Sequence, residues 1–245
     1  MKYFLTGISG FIGLNLANRL VTDGHTVNAI IRGPVPEALT DHPRINFFKC
    51  DLHDLPKLNE AMEGCDMAFH LAAFARPWSK DPGYYYRINV EGAVNMFTAA
   101  KETGIKKVVF TSSAATMSPS SGPEPADELT NRTTAYFNEY ESTKAAAEFK
   151  AREFCEKGLP VVIVNPTRVY GPGPINPSNS VTRMIAAYSK GTWRIIPGDG
   201  KKIGNYVYID NVVDGHLMAA QKGRAGERYI LGGENLTFDQ FFDVL

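Results

Sequence analysis

Tyr140 and Lys144 stand four residues apart in YFNEYESTKAAAE (136–148). On a helix that spacing puts both side chains on one face. A phenol ionises near pH ~10 and is a poor base at neutrality. An ammonium beside it favours the phenolate. A phenol tuned in this way can exchange a proton with a substrate oxygen. The same pair also occurs on ordinary exposed helices, so its meaning depends on what surrounds it. Tyr136 is a rival phenol one turn earlier, but four residues on it has Tyr140 and no cation.

Two further stretches carry chemistry. FTSSAATM (110–117) closes a strand-like run with adjacent serines, Ser112 and Ser113. A serine hydroxyl can donate to a carbonyl oxygen or accept from an alcohol. No GxSxG or Ser-His-Asp arrangement accompanies these serines, which argues against a nucleophile. TGISGFIG (6–13) places Gly7, Gly10 and Gly13 between a strand-like and a helix-like run, with Ser9, Phe11 and Ile12 among them. In that context Gly7 permits the tight turn, Gly10 admits a pyrophosphate to the backbone, and Gly13 lets helix and strand pack closely. The helix N-terminus then offers unpaired N–H donors to the phosphates.

A dinucleotide at that turn directs attention to the end of the second strand. Residues 30–33 read IIRG and hold no acid for ribose hydroxyls, but they do hold Arg32. A guanidinium suits a 2′-phosphate, which favours NADP while leaving NAD possible. A solvated Arg at a loop start is the alternative. Asp51, in CDL with Leu52, comes too late for the ribose. It is placed to accept from an adenine amino group or to cap a strand end. HLAA (70–73) brings small residues, with Leu71, Ala72 and Ala73 where a cofactor would lie against the chain. His70 reads as a core histidine.

These groups need a scaffold. Strand-like runs are KYFLT (2–6), TVNAII (26–31), INFFKC (45–50), MAFHLA (67–72), KVVFTS (107–112) and PVVIVN (160–165). Most are continuously apolar, as strands buried on both faces of a parallel sheet are. Helical patterns lie between them at 11–22, 54–63, around 84–103 and around 136–157. The alternation predicts an α/β fold of Rossmann type, a doubly wound parallel sheet with helices on both faces. After Pro166 the rhythm changes. GPGPINPSN (171–179) reads as the departure into a small, partly irregular substrate region. Residues 1–170 are therefore expected to form the dinucleotide-binding domain. Residues 171–245 form the substrate side, interleaved with returning elements: a helix at 180–190, strands at 206–210 and 228–232, and a helix at 211–221. LTFDQFFDVL (236–245) reads as a helix that starts at Thr237 and is cut off, so a longer natural protein is expected.

Composition removes other classes. The 26 basic and 26 acidic residues balance, with no long basic run. Nucleic-acid and anionic-membrane binding lack electrostatic support. Cys50, Cys65 and Cys155 form no CxxC pair and no zinc-type cluster, so no metal is expected and reduced thiols are. MKYFLTG runs straight into a strand and leaves no room for a secretory leader. A cytoplasmic protein is the expectation.

Taken together the motifs resemble the extended short-chain dehydrogenase/reductase family, also called NAD-dependent epimerases/dehydratases. TGISGFIG, CDL, HLAA, RINVEGAVN (87–95), FTSSA, YESTK, NPTRVYGPG (165–173) and YVYIDNVVDGH (206–216) carry the resemblance in this order. It implies Ser113 as the catalytic serine, Tyr140 as acid/base and Lys144 as its partner, which also holds the nicotinamide ribose. An oxidised nicotinamide would further favour the Tyr140 phenolate. It implies that Pro166 and Val169 pass beside the nicotinamide, and it matches Asn89 to a helix asparagine. IIRGP and GERYILGGENLTF (226–238) resemble the branch of dihydroflavonol-reductase-like and 3β-hydroxysteroid-dehydrogenase-like proteins. The implied activity is interconversion of a secondary alcohol and a ketone, with sugar-nucleotide epimerase/dehydratase chemistry as the alternative and a non-catalytic cofactor sensor as the third. A small-molecule substrate and a possible homodimer follow from the same resemblance. Trp78, Tyr84, Tyr85, Tyr86, Met117 and Arg183 are candidates for the substrate side, or for plain packing and solvation.

Overall fold

The computed structural model describes every residue except 77, 121–123 and 174–178. Most of the irregular stretch 171–179 thus lies outside the described residues. Strands β1 (Lys2–Thr6), β2 (Thr26–Ile31), β3 (Ile45–Lys49), β4 (Met67–His70), β5 (Val108–Thr111) and β6 (Val161–Pro166) match the apolar runs. With β9 (Arg228–Leu231) they form a seven-stranded sheet in the order β3-β2-β1-β4-β5-β6-β9. All its pairs are parallel. The chain winds outward from β1 to β3 and then restarts at β4 on the other side of β1. That reversal opens a crevice beyond the carboxyl ends of β1 and β4.

Alternation along each strand feeds two apolar layers. Phe4, Ala68, Val161 and Ile163 point into one, with α2 (Leu55–Met62), α4 (Gly92–Glu102) and α5 (Glu139–Glu156) packed there. Leu5, Val27, Val162 and Val164 point into the other, covered by α1 (Phe11–Thr22) and α7 (Ile209–Lys222). Two-sided burial is why these strands read as unbroken apolar runs.

Three local differences from the sequence reading have physical causes. The α5 helix starts at Glu139, because the Asn138 side chain accepts from Glu141 N at 3.0 Å and caps it. Tyr136 and Phe137 therefore precede the helix. The stretch before α4 contains a short helix, α3 (Gly83–Tyr86), and a π-helical turn over Arg87–Glu91. Finally, β7 (Arg168–Tyr170), β8 (Ile203–Tyr208) and β10 (Glu234–Thr237) form a second, three-stranded sheet. In it β8 pairs parallel to β7 and antiparallel to β10. This sheet begins at Arg168, whereas β9 of the C-terminal stretch returns to the large sheet. The α6 helix (Ser180–Ser189) packs on β7, and α8 (Phe238–Asp243) starts from a Thr237–Gln240 capping box. No helix among the described residues is long and apolar enough to cross a membrane.

Candidate active site

Two adjoining cavities of about 260 and 330 Å³ lie at the carboxyl ends of the strands. They share Gly7, Gly10, Leu71 and Ala73, so they form one groove. The first is walled by Ser9, Arg32, Asp51, Leu52 and Ala72, and the second by Phe11, Ile12, Gly13, Ser113, Tyr140, Lys144, Pro166 and Val169. Every residue the sequence nominates for cofactor or chemistry borders this groove.

The glycine turn sits at its centre. Gly7 has φ +77°, and a Cβ there would meet Ala72 N at 2.6 Å. A Cβ on Gly13 would stand 2.1 Å from Gly7 O. Backbone thus lies against backbone with no room for a methyl group. Gly10 immediately precedes α1, and no side chain caps that helix end. Open N–H donors in a cradle of this shape fit a pyrophosphate. Thr6 Oγ1 accepts from Ala72 N at 3.1 Å and pairs with His70 Nδ1 at 2.7 Å, which joins the β1 and β4 ends. His70 is fully enclosed, stacked on Phe110, and burial pulls its pKa down to about 3. It is a neutral spacer.

In the first cavity Arg32 Nη1 donates to Tyr84 Oη at 3.0 Å and stands 3.9 Å from Asp51 Oδ2. Its side chain keeps 60% of its exposure, leaving the guanidinium open to a ligand. Asp51 Oδ1 accepts from the backbone and the ring of His53. Partial burial works against the Asp51 charge, but those bonds outweigh it and its pKa is lowered.

In the second cavity the two serines divide. Ser112 Oγ donates to Glu148 Oε1 at 2.6 Å and is committed to the interior. Ser113 Oγ accepts from Ala115 N at 3.2 Å, and its hydroxyl pulls the pKa of the Tyr140 phenol down. Lys144 is 1% exposed; its Nζ donates to Thr111 O at 2.7 Å and lies 4.4 Å from the centre of the Phe110 ring. Burial lowers its pKa to about 7, with Glu148 acting in the opposite direction. The Tyr140 pKa is raised, because burial outweighs the opposing pull of the Ser113 hydroxyl. The sequence reading expects the ammonium together with an oxidised nicotinamide to lower the phenol pKa. Here the ammonium is turned to the strand carbonyl and is itself partly discharged, so enclosure dominates.

Several groups at the groove escaped the sequence reading. Glu148 Oε1 also accepts from Thr116 Oγ1 at 2.9 Å and Asn165 Nδ2 at 2.7 Å. Asn165 Nδ2 reaches Ser113 O at 2.9 Å as well. Together they hold the serine segment from behind. Glu148 lies one helical turn beyond Lys144, a spacing that could have flagged it. Asn179 is 3% exposed and borders the second cavity, with no hydrogen-bond partner for its Nδ2 among the described residues. Arg168 borders both this cavity and a more open one of about 800 Å³ that includes Arg183. Of the aromatic candidates, Tyr85 is buried, Trp78 and Tyr86 are exposed, and neither they nor Tyr84 or Met117 wall the Tyr140 cavity. Asn89 pairs with Phe74 N at 2.7 Å and Thr143 Oγ1 at 3.1 Å, bracing α5 from the side.

Known proteins share this architecture. Residues 3–232 match the model of the NAD dependent epimerase/dehydratase family. A Synechocystis protein provisionally named a dihydroflavonol 4-reductase is 34% identical over 241 residues, covering 96% of this chain and 68% of that protein. Cinnamoyl-CoA reductase 1 of Petunia hybrida is 32% identical, covering 98% of this chain and 75% of its own. The structure of a UDP-N-acetylglucosamine 4-epimerase from Methanobrevibacter ruminantium superimposes with a TM-score of 0.88 at 27% identity, over 99% of this chain and 80% of that one. The chain belongs to the NAD dependent epimerase/dehydratase family, the extended short-chain dehydrogenases/reductases, and is an enzyme of that NAD-dependent oxidoreductase class.

Proposed function

We propose that this protein interconverts a secondary alcohol and a ketone, prefers NADP, and uses Ser113, Tyr140 and Lys144 for the proton chemistry. The observation that carries the reading is the single groove, with the glycine cradle at its centre and the Ser113–Tyr140 pair in one wall. The nicotinamide cofactor, when bound, supplies or accepts the hydride. Ser113 orients the substrate oxygen by hydrogen bonding. Tyr140 gives that oxygen a proton as the ketone becomes an alcohol, and takes it back in the reverse direction. Lys144 faces the same cavity, where its remaining N–H donors can meet ribose hydroxyls and its charge can offset that of the phenolate. Gly7, Gly10 and the first turn of α1 hold the pyrophosphate, with Ser9, Phe11, Ile12 and Gly13 shaping the cradle. Arg32 meets the 2′-phosphate, and Asp51, Leu52, Leu71, Ala72 and Ala73 border the adenosine half. Pro166 and Val169 close the nicotinamide end, and residues 171–245 contribute the substrate side.

Reductase names on the Synechocystis and Petunia relatives support this reading. The epimerase named among the structural neighbours supports a second, in which the cofactor would take up and then return a hydride while the same residues move the proton of a sugar nucleotide. Cofactor stoichiometry separates them. A panel of apolar ketones and sugar nucleotides with NADPH and NADH should give steady loss of absorbance at 340 nm with a ketone. Conversion of a sugar nucleotide with no net change at 340 nm would replace the first reading by the second.

A further inference from the structure

Residues 115–117 and 134–141, between Ser113 and the start of α5, are gathered on one side chain. The Arg132 side chain is 8% exposed, and its guanidinium makes five hydrogen bonds. Nε donates to Thr134 O at 3.1 Å, Nη1 to Ala115 O at 2.6 Å and Met117 O at 3.1 Å, and Nη2 to Ala135 O at 2.8 Å and Glu141 Oε2 at 2.8 Å. A guanidinium has five N–H donors, so this one is saturated. The Tyr136 and Phe137 rings lie against it, with centres 4.4 and 5.4 Å away.

The partners fall on the two elements whose separation matters. Ala115 and Met117 follow Ser113, and Ala115 N donates to the Ser113 hydroxyl. Glu141 is the neighbour of Tyr140 in the first turn of α5, and its Oε2 also accepts from Phe137 N at 3.0 Å. The path from the serine to the phenol is therefore Ser113, Ala115, Arg132, Glu141, Tyr140, and its two ends line the same cavity. Lysine cannot replace arginine here, since an ammonium has only three donors and no planar fork. Tyr136, the rival phenol, serves as a platform for the guanidinium.

We propose that Arg132 is a positioning residue that sets the spacing of Ser113 and Tyr140 by tying the loop after β5 to the start of α5. The proposal rests on the roles given above to those two residues.

Arg132→Ala strands a largely buried carboxylate and can unfold the protein. Arg132→Lys and Glu141→Gln are gentler. Each is compared with wild type by kcat, by cofactor KM, and by the ¹³Cζ signal of Tyr140 in tyrosine-labelled protein, assigned by its loss in Tyr140→Phe. Arg132→Lys should lower kcat about ten- to a hundredfold, as misplacement of reacting groups does. Cofactor KM should hold its wild-type value, and the Tyr140 signal should move while that of distant Tyr3 stays. An unchanged kcat and Tyr140 signal, with only a lower Tm, would overturn the proposal. If the wild type turns over no carbonyl substrate, the reading of function falls instead, and the Tyr140 signal alone decides the role of Arg132.

Discussion

At the glycine turn the groove exists because side chains are missing, whereas at the end of β5 it exists because side chains are held. Gly7, Gly10 and Gly13 leave backbone against backbone, and a ligand meets N–H groups that the helix already leaves open. Around Ser113 and Tyr140 the opposite holds. Glu148, Asn165 and Thr116 grip the serine segment from within, and Arg132 grips it from the loop side. The first end depends on local sequence, and the second on contacts between residues far apart in the chain. Defects should differ accordingly: in binding at the first end, in turnover at the second.

The largest effects test that division directly. Tyr140→Phe removes the proton donor and leaves the ring. It should lower kcat by about 10²–10⁴, with cofactor Kd unchanged in a fluorescence titration. Equal losses in kcat and cofactor affinity would erase the division. Gly13→Ala is the converse. Its Cβ would overlap Gly7 O at 2.1 Å, so the turn must open. Overpacking of this kind costs about 1–3 kcal/mol. NADPH and NADH should both bind roughly ten- to a hundredfold more weakly, and Tm should fall. Undiminished binding would mean that the cradle is not the pyrophosphate site.

The asymmetry also explains what could be read from the chain. Alternating apolar runs announced the large sheet, and three glycines in a short stretch announced the turn, because both signals are local. A last helix starting at Thr237 was legible within one residue, since Thr237 caps α8 at Phe238. The small sheet was not. The short strands β7 and β10 carry several exposed residues, and they exist only because β8 pairs with both. Tyr208 and Ile209 read as one strand with YVYID, yet the chain turns into α7 between them. Asn165 and Arg132 look like ordinary polar residues until their distant partners are known, and Glu148 is marked only by its spacing from Lys144. Tyr140 and Lys144 were visible as a pair, but the enclosure that raises one pKa and lowers the other is a property of the packed groove.

A middle-sized effect concerns Lys144, where the held end should carry a pH signature that the glycine end lacks. The groups facing its Nζ are Thr111 O, the Phe110 ring, Glu148, neutral His70 and Tyr140. Its pKa falls from 10.5 to about 7 on folding, chiefly through burial. Between those values the unfolded chain holds a proton that the native protein lacks, so stability rises as pH rises. Below pH 7 both states are protonated, and the cost of the buried charge stays constant. Lys144→Met keeps the volume and removes the charge. In urea denaturation without cofactor it should be more stable than wild type at pH 7, by up to a few kcal/mol, with the gap closing towards pH 10. A gap that does not vary with pH would show that Lys144 is not held as a buried cation.

Arg32→Ala should give the smallest change, because its guanidinium is mostly exposed and its close polar contacts among the described residues are Tyr84 and Asp51. One charge-assisted contact to a 2′-phosphate at such a site contributes about 1–2 kcal/mol. NADPH should then bind roughly tenfold more weakly, and NADH with unchanged affinity. The binding test distinguishes three arrangements at the first cavity. Selective loss of NADPH affinity means that Arg32 reads the 2′-phosphate. Equal weakening of both cofactors means that Arg32 acts through Asp51 on the adenosine half they share. No change in either means a solvated side chain, and the NADP preference assigned to Arg32 falls. A selective loss would also refine the contrast between the two ends: even the glycine end, built from backbone, would owe its choice of cofactor to a single side chain.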